Sequence, residues 1–164
     1  MVKDFSTVPG VQQFDDMACW AACMEWWLRY MSPKRDITTQ FDLVNEFRND
    51  TYLPASESDP NFGGLSHEGM IKMIGKKRFH MKAKEMAGIS LSSYYLNKKM
   101  KKSPVLITFY DITAGGYHAN VLVDAASDGR GNQTVKCMEP RTGSFTVRPI
   151  IHYQQSHIIM GYAK

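Results

Sequence analysis

The stretch from Met17 to Met31 is the strongest constraint on this chain. It reads Met-Ala-Cys-Trp-Ala-Ala-Cys-Met-Glu-Trp-Trp-Leu-Arg-Tyr-Met, without a proline or glycine. Its only strong charges are Glu25 and Arg29, four apart in the order that favours an ion pair along a helix. A helix that is apolar on nearly every side has no face to offer water, so it must run through the middle of a folded domain. Asp15 and Asp16 stand where its cap is expected. A membrane span is excluded for this stretch, because the nearly uncharged part, Met17 to Leu28, already contains Glu25 and falls short of the ~20 residues a span requires.

The rest of the chain supplies partners for that helix in two blocks. A second helix is expected over 38–48, with Phe41, Leu43, Val44 and Phe47 inward, a third from Ser66 through Lys76, and a fourth over 90–101. Between the second and third, residues 49–64 are rich in Pro, Ser, Asp and Gly and read as a loop or lid, a length usually reserved for functional or mobile segments. At Pro104 the character changes. Strands are expected over 105–110, 117–125, 133–139, 144–147 and 157–162, with turn clusters at 113–116, 127–132 and 140–143. Helices first and strands second, without alternation, predict an α+β domain with an antiparallel sheet. At 164 residues, 43% apolar and 12% aromatic, the chain can bury a core as a single domain and is not disordered. Residues 1–164 are read as one domain, either a whole protein or one excised from a longer effector. Met1-Val2-Lys3-Asp4 turns polar at once, so no secretory signal peptide is expected.

Twenty basic against sixteen acidic residues give a net charge of +4, too mild for a nucleic-acid signature. Lys72, Lys76, Lys77, Arg78, Lys82 and Lys84, followed by Lys98, Lys99, Lys101 and Lys102, form the one basic cluster. Its first reading is a solvated face of helix-spaced lysines; its second is a basic groove for an acidic protein partner or for nucleic acid. A protein is the expected partner ahead of nucleic acid, and no membrane partner is expected. The three cysteines, Cys19, Cys23 and Cys137, are an odd number in a domain large enough to have a core, so at least one thiol is free.

Cys19 lies at the head of the central helix, where unpaired amides and the helix dipole favour a thiolate. Taken alone it reads equally as a small apolar core residue, as Cys23 does one turn later. Gln13, six residues upstream, is an amide able to donate to an oxyanion beside the sulfur. His118 opens a hydrophobic strand behind Gly115 and Gly116, glycines that are expected to permit a close backbone approach. Glu139 ends the neighbouring strand, where its carboxylate could orient the imidazole; Asp124, six residues past His118 and so of the same strand parity, is the fallback acid. A competing reading gathers Cys19, Cys23, Cys137 and a histidine around zinc, but Cys-x-x-x-Cys on one helix is a weak pattern. No metal or organic cofactor is expected. His67, His80, His152 and His157 are scattered and read as ordinary surface or core residues.

In this order, Gln13, Ala18-Cys19-Trp20, His118 and Glu139-Pro140 resemble the site of the papain-like cysteine peptidases. Pro104-Val105, Gly116-Tyr117-His118 and Glu139-Pro140-Arg141-Thr142-Gly143 extend the likeness, which spans roughly residues 8–150 and holds only in outline over 35–90. The compact length is most similar to bacterial members: the leader-cleaving domains of bacteriocin exporters and the papain-like effector or toxin domains of type III and type VI secretion. Two departures stand out. The acid is Glu139 where Asp or Asn is usual, and the longer plant-peptidase signature around the cysteine is half present. The Asp-Cys-Ser context of cell-wall amidases is absent.

The resemblance implies a helical N-terminal half packed on a C-terminal antiparallel sheet. It also implies Cys19 as nucleophile, His118 as base, Glu139 as the orienting acid and Gln13 in the oxyanion hole. The implied activity is peptide-bond hydrolysis. The same site could serve a side-chain deamidase or transglutaminase, or the scaffold a non-catalytic binding module, and the residues leave these open. The implied setting is a bacterial effector or toxin delivered by a specialised secretion system. It would cleave a protein in the target-cell cytoplasm and be held in check by a cognate immunity protein, with the basic cluster and the 49–64 loop as candidate contact regions.

Overall fold

The computed structural model of the protein describes residues 4–32, 38–50, 64–113 and 115–164. The apolar stretch folds as helix α1, Cys19–Met31, in which every residue from Cys19 to Trp27 is buried, Glu25 included. Burying a carboxylate is costly unless it is paired and hydrogen-bonded. Glu25 meets that condition: Arg29 pairs with one oxygen, and the Gln40 backbone N–H donates to the other at 2.8 Å. The expected cap does not form. Ala18 holds the N-cap position with no side-chain hydrogen bond, while Asp15 accepts from the Met17 N–H at 2.7 Å, a local turn that competes with capping.

Helix α2, Gln40–Glu46, starts in a capping box between Thr39 and Asp42. It is shorter than the expected 38–48 because the chain tightens into a 3-10 turn at Arg48–Asp50. Most of the loop expected over 49–64 lies outside the described residues. Helices α3, His67–Ile74, and α4, Ser93–Met100, are capped by the side chains of Ser66 and Ser92.

Six strands follow from the remaining sequence: β1 Met81–Ala87, β2 Val105–Asp111, β3 Gly116–Ser127, β4 Gln133–Glu139, β5 Ser144–Pro149 and β6 His157–Ala163. They form one sheet in the order β1-β6-β2-β3-β4-β5, with every pairing antiparallel. The domain is therefore α+β with an antiparallel sheet. The segregation of helices before strands is not complete, however, because β1 precedes α4 and closes one edge of the sheet against β6. Its sequence, Met-Lys-Ala-Lys-Glu-Met-Ala, is built of helix formers and carries no β-branched residue, so pairing with β6 overrides local preference. Exposed Lys82 and Lys84 thus sit on a charged edge strand and are not helix-spaced.

Helix α1 packs against β2 and β3, and its tryptophans tie it to the surrounding chain. The Trp27 indole donates to the Pro104 carbonyl at 3.1 Å, and the Trp26 indole to the Val8 carbonyl at 3.1 Å. Both rings are fully buried, and truncating either to alanine costs about 3–5 kcal/mol for a core aromatic. This packing fixes the head of α1 over the sheet. No helix among the described residues is long and apolar enough to cross a membrane.

Candidate active site

Cys19 is the first residue of α1 and, with Ala18 giving no side-chain cap, its N–H has no partner within the helix. Strand β3 brings His118 and Asn120 to one face, two residues apart. On β2, Phe109 stands opposite His118 and meets its ring edge-on at 5.8 Å. On the other side, the β3–β4 register, Val121 against Met138, brings Glu139 beside Asn120. Cys19, His118 and Glu139 are all buried.

The three side chains form a chain of hydrogen bonds. His118 Nε2 lies 2.7 Å from Glu139 Oε1, and the Cys19 thiol is hydrogen-bonded to the same imidazole. With Nε2 engaged by Glu139, Nδ1 is the nitrogen left for the sulfur. Burial alone lowers the His118 pKa, but the hydrogen bonds to Cys19 and Glu139 and the charges of both outweigh it and raise it to about 9. Burial alone raises that of Glu139. The bond and charge of His118, the Arg141 N–H at 3.1 Å and the Asn120 amide overcome this and bring it down to about 2. At neutral pH the imidazole therefore carries a proton and the carboxylate does not. Burial pushes the other two thiols, Cys23 and Cys137, upward, which keeps them protonated and unreactive.

Glu139 has a further set of partners that local sequence pattern did not reveal. Its Oε2 accepts from Asn120 Nδ2 at 3.1 Å and from Arg148 Nη2 at 2.7 Å. Asn120 Oδ1 in turn accepts from the Tyr153 hydroxyl at 3.0 Å. Asn120 and Tyr153 are completely buried. A signal for Asn120 existed, since it follows His118 by two on a strand. Arg148 and Tyr153 come from β5 and the 3-10 turn Ile150–Tyr153, and their approach depends on the pairing of the whole sheet.

Gln13 is held by the turn after Glu139. Its backbone N–H donates to the Pro140 carbonyl at 2.7 Å, and Gln12 Nε2 donates to the Arg141 carbonyl at 3.1 Å. The two segments touch at glycines. A Cβ on Gly10 would fall 2.0 Å from the Gly143 carbonyl oxygen, and Gly143 itself has φ +65°. Gln13 Nε2 donates to the Asp15 carbonyl at 2.7 Å, which occupies one of its two hydrogens and leaves the second. Its Oε1 is buried without a partner among the described residues.

A cleft of about 590 Å³ opens over the site, lined by Cys19, Trp20 and His118, by Met70 of α3, and by Gly116 and Arg141. That is the volume of a small-molecule or peptide subsite. Nothing among the described residues lies within 4 Å of a Cβ built on Gly115 or Gly116, so these glycines leave space at the cleft mouth and do not serve a close backbone approach.

Three other expectations meet different outcomes. Asp124 does not reach His118: a β-bulge between Leu122 and Asp124 shifts the register by one, cancels the even parity and leaves Asp124 exposed, with its carboxylate on the Ala125 N–H at 2.9 Å. Several members of the basic cluster make contacts within the fold. Lys72 pairs with Asp50 at 2.9 Å, Arg78 with Glu46, and Lys76 lies over the Phe47 ring. The three thiols do not converge on a metal-type donor group; among the described residues the one such group is His67, Glu85 and His157. No protein-family model matches this sequence, and no curated protein is significantly similar to it.

Proposed function

We propose that the chain is a papain-like cysteine peptidase. One observation carries the reading: a thiol at the uncapped head of a buried helix, hydrogen-bonded to an imidazole whose other nitrogen is 2.7 Å from a buried carboxylate. The thiol and the imidazole, proposed as nucleophile and base, line a cleft, and the carboxylate that would orient the imidazole is buried behind them.

The chemistry follows from these groups. Cys19, as thiolate, attacks the carbonyl carbon of the scissile peptide and forms a C–S bond. The negative charge passes to the carbonyl oxygen, where the Cys19 N–H and the second hydrogen of Gln13 Nε2 stabilise it. His118, already protonated, gives its proton to the leaving amine as the C–N bond breaks. Water then attacks the thioester. His118 takes its proton, the C–S bond breaks, and the carboxylic product departs, leaving the thiolate–imidazolium pair restored. Glu139 keeps the imidazole in one tautomer and orientation throughout, and Asn120 and Arg148 hold Glu139.

The biological setting belongs to the same proposal and rests on the resemblance of Gln13, Cys19-Trp20, Gly116-Tyr117-His118 and Glu139-Pro140 to compact bacterial members of that family. In it the domain is an effector or toxin that cleaves a protein inside the target cell, with an immunity protein covering the cleft. The test is profiling of new protein N-termini in a cell extract treated with the wild-type chain or with Cys19→Ala. Cleavages that appear with the wild type alone support the proposal. Altered side-chain amides with no new N-termini would replace hydrolysis by deamidation, and no change of either kind would leave a binding module.

A further inference from the structure

We propose that His67, Glu85 and His157 form a binding site for a divalent transition-metal ion of the zinc class, at the end of the sheet beside the cleft. The site does not depend on the peptidase reading. His67 is the first residue of α3, Glu85 lies in β1, and His157 is the first residue of β6. The β1–β6 register sets Ala87 against His157, so Glu85, two residues along from Ala87, is the diagonal neighbour of His157 on one face. The Ser66 side chain, accepting from the Gly69 N–H at 2.9 Å, fixes the turn that carries His67.

Both imidazoles aim Nε2 at the same atom. His67 Nε2 is 3.0 Å and His157 Nε2 3.1 Å from Glu85 Oε2, and all three donor atoms lie within 4.8 Å of one another. A tetrahedral ion with ligands at about 2.0–2.1 Å needs donors about 3.3 Å apart. Two of the three edges are thus near their final length, and a small rotation of the rings, which already face each other at 5.6 Å, closes the third. Neutral imidazole nitrogens with one carboxylate oxygen are a donor set that zinc accepts, and three protein ligands leave a fourth position for water. All three side chains are exposed, so an ion enters directly from solvent. Because His67 also lines the cleft with Leu65, Ser66 and Met70, a bound ion would tie that wall to the β1–β6 edge.

The experiment is a titration of the full chain carrying Cys19→Ser, which removes the thiol as a competing ligand, with Zn²⁺ by calorimetry and with Co²⁺ by its visible absorption. Expected are one ion per chain, a rise in melting temperature with Zn²⁺, and binding at least about tenfold weaker after His157→Ala or Glu85→Ala. Circular dichroism of the metal-free variants checks that they remain folded, and His67→Ala gives an independent third ligand deletion. Absence of saturable binding in the Cys19→Ser chain overturns the proposal, as does binding that survives loss of His157 and Glu85 in folded protein.

Discussion

His118 and Glu139 are joined through Nε2 and Oε1 at 2.7 Å, and the second oxygen of that carboxylate is held from two further directions by Asn120 and Arg148. The imidazole is thereby aligned by a side chain held through both of its carboxylate oxygens. Its first oxygen also accepts from the Arg141 N–H at 3.1 Å. Such restraint is what keeps a general base in its working geometry.

Glu139→Gln keeps the size of the side chain but removes its charge and lets the wrong atom face His118. On the proposed peptidase reading, turnover should fall on the order of 10²-fold or more, as expected for a misoriented acid–base group. The His118 pKa, followed by NMR of its ring, should move down from about 9 because a hydrogen bond and a charge that raise it are lost. Unchanged turnover together with an unchanged titration would remove Glu139 from the mechanism.

Stability should follow pH in a defined way. The His118 pKa is raised from 6.5 to about 9, so its contribution is complete below 6.5 and is lost as pH climbs through about 9. The Glu139 pKa is lowered from 4.5 to about 2, so its contribution is complete above 4.5 and is lost as pH drops through about 2. From these two groups the stabilisation is greatest between 4.5 and 6.5. Urea unfolding followed upward from pH 6.5 through about 9 should show an alkaline decline that His118→Ala abolishes and Cys19→Ala reduces.

Tyr153→Phe leaves Asn120 Oδ1 buried without its donor while preserving the packing of the ring. The expected cost is about 1–3 kcal/mol in urea unfolding. Turnover should change little, since Asn120 Nδ2 retains Glu139. A variant as stable as the wild type would show that this buried bond carries no net weight.

Gly10→Ala should separate Gln13 from the turn after Glu139. The added methyl meets backbone, the Gly143 carbonyl oxygen, and overpacking of that kind costs about 1–3 kcal/mol. Activity should fall along with stability because Gln13 N–H is anchored to Pro140 in the same contact. Gly129→Ala, at φ +75° in open space, is the control: it strains the backbone without moving the site. Equal activity losses in the two variants would contradict the positional argument.

The parts of this architecture legible in the sequence are those governed by local pattern. The apolar run announces α1, the change at Pro104 announces β2, and the Asp128 to Asn132 turn separates β3 from β4. What escaped depends on pairing between distant segments. Strand β1 reads as helix former until β6 lies beside it. Asp124 shares the parity of His118 until a bulge intervenes. Asn120, Arg148 and Tyr153 converge on Glu139 only once the sheet order is known. His67 and His157 read as unrelated histidines until the β1–β6 edge brings them to one glutamate.

The central claim is that Cys19 and His118 act as one reactive pair. Its most direct test is mass-spectrometric mapping of iodoacetamide labelling at about pH 6, where ordinary thiols are protonated and slow, in the wild type and in His118→Ala. Rapid alkylation confined to Cys19, and lost with His118, is the predicted result. Labelling of Cys19 no faster than that of Cys23 or Cys137, or unchanged without His118, would contradict it.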